Sequence, residues 1–339
     1  MKKSLQKYAF GQVLSAILAA TGLINGWLFQ VKKLNIPAMQ AALTYTLILV
    51  GSSLYLFLEP KKDGDKTESK KDGDKTESLI GLMKKYKDIM IGSVLFDVAA
   101  NWLIVKAFSE LTLPEVMVFS ALSTPAAITM ALIWTRPRPK YTRLQVTGVI
   151  MALMAILFYL YISRQDMMKR SLMVIICAIL SAIAYAASNI FQERVAQVMR
   201  PVEFLFGLGS IGSLISWFIV LLSFDEIEMV FNGVFNDFSV LISVSLYAVI
   251  LSSFYFLIPV YMSKHSAVSF NFSLLTANFL GIIGSWFLLK ATYSNWLYIS
   301  IVLINFGLLI YYFGEESTQI QDAPPSANNN TTENKIPLV

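Results

Sequence analysis

The sequence predicts an all-α membrane protein with ten transmembrane helices arranged as two inverted five-helix repeats, and three observations predict it. Apolar runs long enough to span a bilayer, about 18 residues or more, recur along most of the 339 residues, of which 56% are hydrophobic and only 14% charged. The runs fall five on each side of residues 163–170, and an odd number per half makes the halves enter the membrane from opposite sides. Of the 27 Lys and Arg, 20 lie on the side of the amino terminus, which positive-inside bias makes cytosolic. The expected organisation is a cytosolic amino end at 1–9, a first repeat at 10–162 with a disordered charged loop at 59–86, a second repeat at 163–313, and a disordered cytosolic tail at 314–339.

The first helix follows Lys2, Lys3 and Lys7 and runs from Phe10 to Phe29, too long for a signal peptide core and without a small-residue cleavage site after it. Thr21 and Asn25 share one of its faces, for substrate contact or for hydrogen bonds between helices. A second span covers about Pro37 to Leu58. After it, a nine-residue unit repeats in tandem over 61–78, charged and without large apolar side chains, so it cannot bury enough surface to offset its ordering entropy.

The third span carries Asp97, eight residues in from Ile89, which places the acid about 12 Å deep in a layer about 30 Å thick. A carboxylate there costs roughly 2.5 to 3.5 kcal/mol on insertion scales, so it must face protein or water. Asn101 shares its face, whereas Lys106 lies on the opposite one and is expected to snorkel to the interface. Past a turn at Ser109 to Leu113, the fourth span reaches Trp134 and contains Pro125, which should bend it. The basic, proline-stiffened loop RPRPKYTR at 136–143 leads to the fifth span, about Leu144 to Ile162.

In the sixth span, about Ser171 to Ile190, Tyr185 and Asn189 share a face, with Glu193 one turn beyond. The seventh, about Val202 to Leu222, holds Gly207, Gly209 and Gly212, which let helices approach closely. An acidic loop at 224–238 precedes the eighth span, with Tyr255 and Pro259 toward its end. Asn271 and Asn278 stand seven apart on one face of the ninth span, about Ala267 to Leu289, and the tenth covers about Trp296 to Phe313. The tail sequons at Asn329 and Asn330 then fall on the cytosolic side.

Several functions are disfavoured. No GxxxxGK[ST] phosphate loop is present, against an ATP-driven pump. One His and one Cys do not build a usual metal ligand set, so neither metal nor other cofactor is expected. The net charge of +5 arises from loop residues that orient the chain in lipid, so nucleic acid is not an expected partner.

Four segments, FDVAANWLIVKAF at 96–108, AYAASNIFQER at 184–194, VEFLFGLGSIGSLIS at 202–216 and HSAVSFNFSLLTANFLG at 265–281, resemble solute carrier family 35, F branch, within the drug/metabolite transporter superfamily. The resemblance implies a ten-helix inverted-repeat fold around a central solute cavity, with nucleotide sugars or nucleoside- and nucleobase-like solutes as the substrate class. Two positions depart from it: Asn278 stands where relatives often carry an acid, and Glu115 where they often carry Ser or Thr. The expected function is a multi-pass secondary transporter in a Golgi, endomembrane or plasma membrane, its partners a small solute and the bilayer, with a homodimer left open. The alternative is a receptor or scaffold that binds a ligand without moving it. Asn25, Asp97, Asn101, Tyr185, Asn189, Tyr255, Asn271 and Asn278 are the expected substrate-binding residues, and Asp97 the candidate for ion coupling.

Overall fold

A computed structural model describes residues 2–59, 81, 85–134, 141–164, 170–290 and 294–321. The tandem repeat at 61–78, most of the RPRPKYTR loop and the two tail sequons lie outside the described residues. The amino half comprises α1 (Lys2–Gln30), α2 (Pro37–Leu58), α3 (Lys87–Ala107), α4 (Leu113–Ser120), α5 (Ser123–Trp134) and α6 (Arg143–Ile162). The carboxyl half comprises α7 (Leu172–Ala196), α8 (Pro201–Leu222), α9 (Phe224–Met229), a π-helical turn Val230–Val234, α10 (Phe238–Met262), α11 (Ala267–Ser273), α12 (Leu275–Leu288) and α13 (Asn295–Gln321). Among the described residues nine stretches are long and apolar enough to cross a bilayer, counting Leu113–Trp134 and Ala267–Leu288 as one each; α13 adds the shorter apolar stretch Asn295–Tyr311.

The helices begin where their first amides find acceptors. Proline opens α2 and α8, where the missing N–H costs nothing. Capping boxes start α4, with Thr112 and Glu115, and α6, with Thr142 and Gln145. The first amides of α2 are met from a distant part of the chain: Glu226 accepts from Ala38 N at 2.9 Å and from Met39 N at 3.2 Å. Burial pushes the Glu226 carboxyl up from its ordinary value, while the two amides and the Lys106 charge pull the other way. Glu226→Ala leaves both amides without an acceptor, and an expected loss of about 1–3 kcal/mol is readable as a lower midpoint of thermal unfolding in detergent.

Two membrane helices are interrupted, and the causes differ. The gap between α4 and α5 sits just before Pro125, whose ring clashes with the carbonyl four residues back, that of Ala121. Here Leu122 N turns to Phe119 O at 3.0 Å, three residues back instead of four. No proline explains the break at Leu274, which the sequence does not announce. The Ser273 carbonyl is taken by the Ser15 hydroxyl of α1, and Ala277 N, its regular helical partner, donates to Leu274 O at 3.0 Å instead.

Two further expectations are corrected. The disordered tail expected from 314 is corrected over 314–321, where α13 continues to Gln321. Glu315, Glu316, Gln319 and Gln321 are good helix formers, no proline intervenes, and extending a nucleated helix is cheap. The amino end at 1–9 is helical from Lys2, continuing α1 outward from its span at Ala9–Gln30, which leaves the expected cytosolic side untouched. The acidic loop at 224–238 is largely helical. Its phenylalanines 224, 231, 235 and 238 are exposed, while Asp237 pairs with Lys32 at 2.6 Å. That ammonium holds the Asp237 carboxyl well below the usual carboxylate range.

The tightest helix pairs are α2 with α8, α3 with α7 and α6 with α13; α1 packs on α10 and α12, and α5 on α7. Glycines permit the closest approaches. A Cβ on Gly209 would fall 2.6 Å from Leu49 N of α2, and one on Gly148 would fall 2.2 Å from the Gly307 carbonyl of α13. A Cβ on Gly212 would meet the Tyr45 ring at 2.7 Å, so this glycine sets where that ring lies.

Candidate functional site

Between the two halves lies a cavity of about 140 Å³. Its wall comes from the middle of α1, the second half of α3, α4, the middle of α7, α10 and α11, and includes seven of the eight expected residues: Asn25, Asp97, Asn101, Tyr185, Asn189, Tyr255 and Asn271. Asn278 is the exception, buried but not in the wall. The expectation placed it beside Asn271 by helical register, and the break at Leu274 interrupts that register between them. From the cavity wall a row of rings runs toward the start of α1: Phe254 lies 6.1 Å from Phe270, Phe270 5.8 Å from Tyr261, and Tyr261 5.6 Å from Phe10, between centroids.

Asp97 is the centre of the polar chemistry and is 2% exposed. Its Oδ2 accepts from Tyr255 Oη at 2.5 Å and from Tyr45 Oη at 2.6 Å, so α10 and α2 converge on one oxygen. Its Oδ1 accepts from Ser188 Oγ at 3.2 Å and Gln192 Nε2 at 3.3 Å, both on α7. Among the described residues no ion pair involves Asp97. Hydrogen bonds from three other helices therefore stabilise the carboxyl in place of a base. Asn101, one turn on, donates to Tyr45 Oη at 2.9 Å and Tyr255 Oη at 2.6 Å, and its Oδ1 accepts from Tyr185 Oη at 2.9 Å.

Two smaller polar groups flank this centre. Asn189 Nδ2 donates to Asn271 Oδ1 at 3.1 Å, joining α7 to α11. Asn25 accepts from Gln40 Nε2 at 2.8 Å and shares the cavity wall with Tyr247. Asp97 is the one formal charge in the wall, which contains no Lys or Arg, and the rest is largely Leu, Ile, Val, Met and Phe. Such a wall offers aromatic faces, amides and a carboxyl to a small flat solute and no cation to a phosphate.

Sequence reasoning missed Tyr45, Ser188, Gln192, Gln40 and Tyr247. Gln40, Ser188 and Gln192 are polar residues inside apolar spans, the same signal that marked Asn101 and Asn189. The tyrosines carried no such signal, since Tyr is common at helix ends near the membrane surface.

Comparison with known proteins gives the family of the chain. The family described as solute carrier family 35 (SLC35F) matches residues 1–313. Solute carrier family 35 member F2 of Mus musculus is 24% identical over 315 residues, covering 91% of this chain and 78% of that protein. An uncharacterized solute carrier family 35 member of Schizosaccharomyces pombe is 26% identical over 332 residues, covering 92% of this chain and 58% of that protein. One crystal structure aligns with a TM-score of 0.55 at 13% identity, over 95% of this chain and 99% of its own, which shows a shared fold. The chain is an integral multi-pass membrane protein and belongs to solute carrier family 35, in its F branch.

Proposed function

We propose that the chain is a secondary transporter that moves a small, flat, neutral or weakly basic heterocycle of nucleobase or nucleoside type through the cavity around Asp97. The observation that carries this reading is the wall itself: one carboxyl, several amides and tyrosines, and no basic side chain. A nucleotide sugar brings a diphosphate, and a desolvated dianion beside a carboxyl, without Arg or Lys to meet it, is strongly disfavoured.

Ten spans in two inverted repeats, with both ends cytosolic, complete the reading. With the two interrupted helices each counted whole and α13 taken as the tenth, the second span packs on the seventh, the third on the sixth, the first on the eighth and ninth, the fourth on the sixth, and the fifth on the tenth. Adding five to each number maps these pairings onto themselves, as a two-fold relation between halves requires. The interrupted helices are the fourth and ninth, again five apart. A receptor or scaffold makes no use of this symmetry, whereas a transporter uses it to rock one half against the other around a fixed site.

Uptake into vesicles of purified protein, across nucleobases, nucleosides and nucleotide sugars, tests the proposal. Saturable uptake is expected for members of the first two groups, at least tenfold above any nucleotide sugar. Nucleotide-sugar uptake alone would overturn the charge argument, and binding without uptake of any compound would favour the receptor.

A further inference from the structure

The two oxygens of Asp97 face different surroundings, and the second carries an inference of its own. Oδ2 belongs to the tyrosine cluster at the cavity, but Oδ1 points into the packed seam between α3 and α7, where neither Ser93, Ser188 nor Gln192 contributes to the cavity wall. In that seam Ser188 Oγ donates to the Ser93 carbonyl at 3.1 Å as well as to Asp97 Oδ1. Ser93 stands one helical turn from Asp97 and Ser188 one turn from Gln192, so the four side chains face one another in pairs across the seam.

Two polar atoms here have no partner. Ser93 Oγ and Gln192 Oε1 are buried and meet no hydrogen-bonding group among the described residues, although the side chains are 0% and 1% exposed. A buried oxygen left unmatched costs free energy, and two of them beside an acid without a base form an unbalanced cluster: an excess of oxygens, and a negative charge with no positive one. As it stands, Gln192 Nε2 donates to Asp97 Oδ1 and, at 2.9 Å, to Ser188 Oγ; an exchange of its amide ends gives up both bonds and turns Oε1 toward these two oxygens. Without a cation that arrangement is repulsive; with one, the seam offers Gln192 Oε1 together with Ser188 Oγ, Asp97 Oδ1 and the Ser93 carbonyl, the last two 3.2 and 3.1 Å from Ser188 Oγ, and the unpartnered Ser93 Oγ stands one turn before Asp97 on the same helix.

We infer that Asp97, Ser93, Ser188 and Gln192 form a binding site for a sodium ion between α3 and α7. All the donor atoms are hard oxygens, which excludes soft transition metals. One carboxylate balances one positive charge, whereas calcium sites gather six to eight oxygens, several of them from carboxylates. The contact between α3 and α7 is among the closest in the bundle, which favours sodium over the larger potassium. Because Asp97 lies in the amino half and Ser188 and Gln192 in the carboxyl half, the ion bridges the parts that must move against each other. Neutralising Oδ1 in this way leaves Oδ2 to the tyrosines, so ion and solute occupy opposite faces of one carboxyl.

The site is tested by binding, independently of any transport. Thermal unfolding of the full-length protein in detergent is followed while sodium chloride replaces N-methylglucamine chloride or potassium chloride at constant ionic strength. A saturable rise of the midpoint with sodium is expected. Ser93→Ala should keep the sodium-free midpoint, since Ser93 Oγ has no partner to lose, and should need at least tenfold more sodium for half the rise. Asp97→Asn should lose the rise. An equal rise with potassium or N-methylglucamine overturns the site, as does an unchanged sodium requirement in Ser93→Ala. So does the absence of any sodium effect, the result if water alone fills the seam, or stabilisation by acid in its place, the result if Asp97 takes a proton. Failure here leaves the uptake test untouched, and failure of uptake leaves the sodium rise to be read.

Discussion

Asp97→Ala should leave both folded yield and uptake near zero. Its carboxyl is the acceptor for Tyr45, Tyr255, Ser188 and Gln192; truncation leaves the two buried tyrosine hydroxyls pointing at a void, while Ser188 keeps the Ser93 carbonyl and Gln192 keeps Ser188 Oγ. Each unpaired group costs about 1–3 kcal/mol, and although such costs do not add, a loss of about 3–5 kcal/mol is expected for the cluster. That is a large part of a typical total stability of about 5–15 kcal/mol. Asp97→Asn separates structure from chemistry. It keeps one carbonyl oxygen for the two tyrosines, while Ser188 Oγ can accept from its amide, so a folded, monodisperse protein is expected. Its uptake should fall at least tenfold and lose its response to an imposed ion gradient. Normal, gradient-dependent uptake by the Asn variant would remove Asp97 from the coupling role.

Gly148→Ala should be nearly as damaging without touching the cavity. The added Cβ would lie 2.2 Å from the Gly307 carbonyl and 2.7 Å from Tyr311 N, both backbone atoms that cannot turn aside. The helices α6 and α13 must separate along their length, and an expected cost of about 3 kcal/mol, at the upper end of ordinary overpacking, follows. Gly281→Ala is the control. Its Cβ would fall closer still, 1.9 Å from Met117 Cε, yet that atom is the far end of a flexible side chain and can move. A loss of unfolding midpoint for Gly148→Ala at least twice that for Gly281→Ala is expected; equal losses would mean that α6 and α13 do not approach as closely as described.

Much of this architecture was legible in the sequence because a bilayer leaves so few solutions. Apolar runs had to be helices, and an acid at the depth of Asp97 had to face inward. Polar residues one turn apart, such as Asp97 with Asn101 and Tyr185 with Asn189, marked the faces that line the cavity. What remained hidden depended on contacts between distant residues. The break at Leu274 comes from Ser15 taking a carbonyl 258 positions away, and no local pattern announces it. Asn278 was misplaced for that reason, and Glu226 was read as a loop acid because its amide partners on α2 are 188 positions back. Tyr45 was missed because nothing in its neighbourhood distinguishes a ring that reaches an acid from one that meets lipid.

The partners of Asp97 also set an order of events during synthesis. When α3 leaves the ribosome only Tyr45 and Asn101 exist to receive its acid; Ser188 and Gln192 come more than 90 positions later and Tyr255 158 positions later. At about 5–20 residues per second the last of these arrives roughly 8 to 30 s after Asp97. For that interval the amino-terminal helices hold an acid whose shell is incomplete, a segment the insertion machinery has reason to retain at its water-filled channel instead of releasing to lipid. A nascent chain halted before Tyr255 should therefore be the form most exposed to membrane quality control, and the point at which inherited or engineered truncations are cleared.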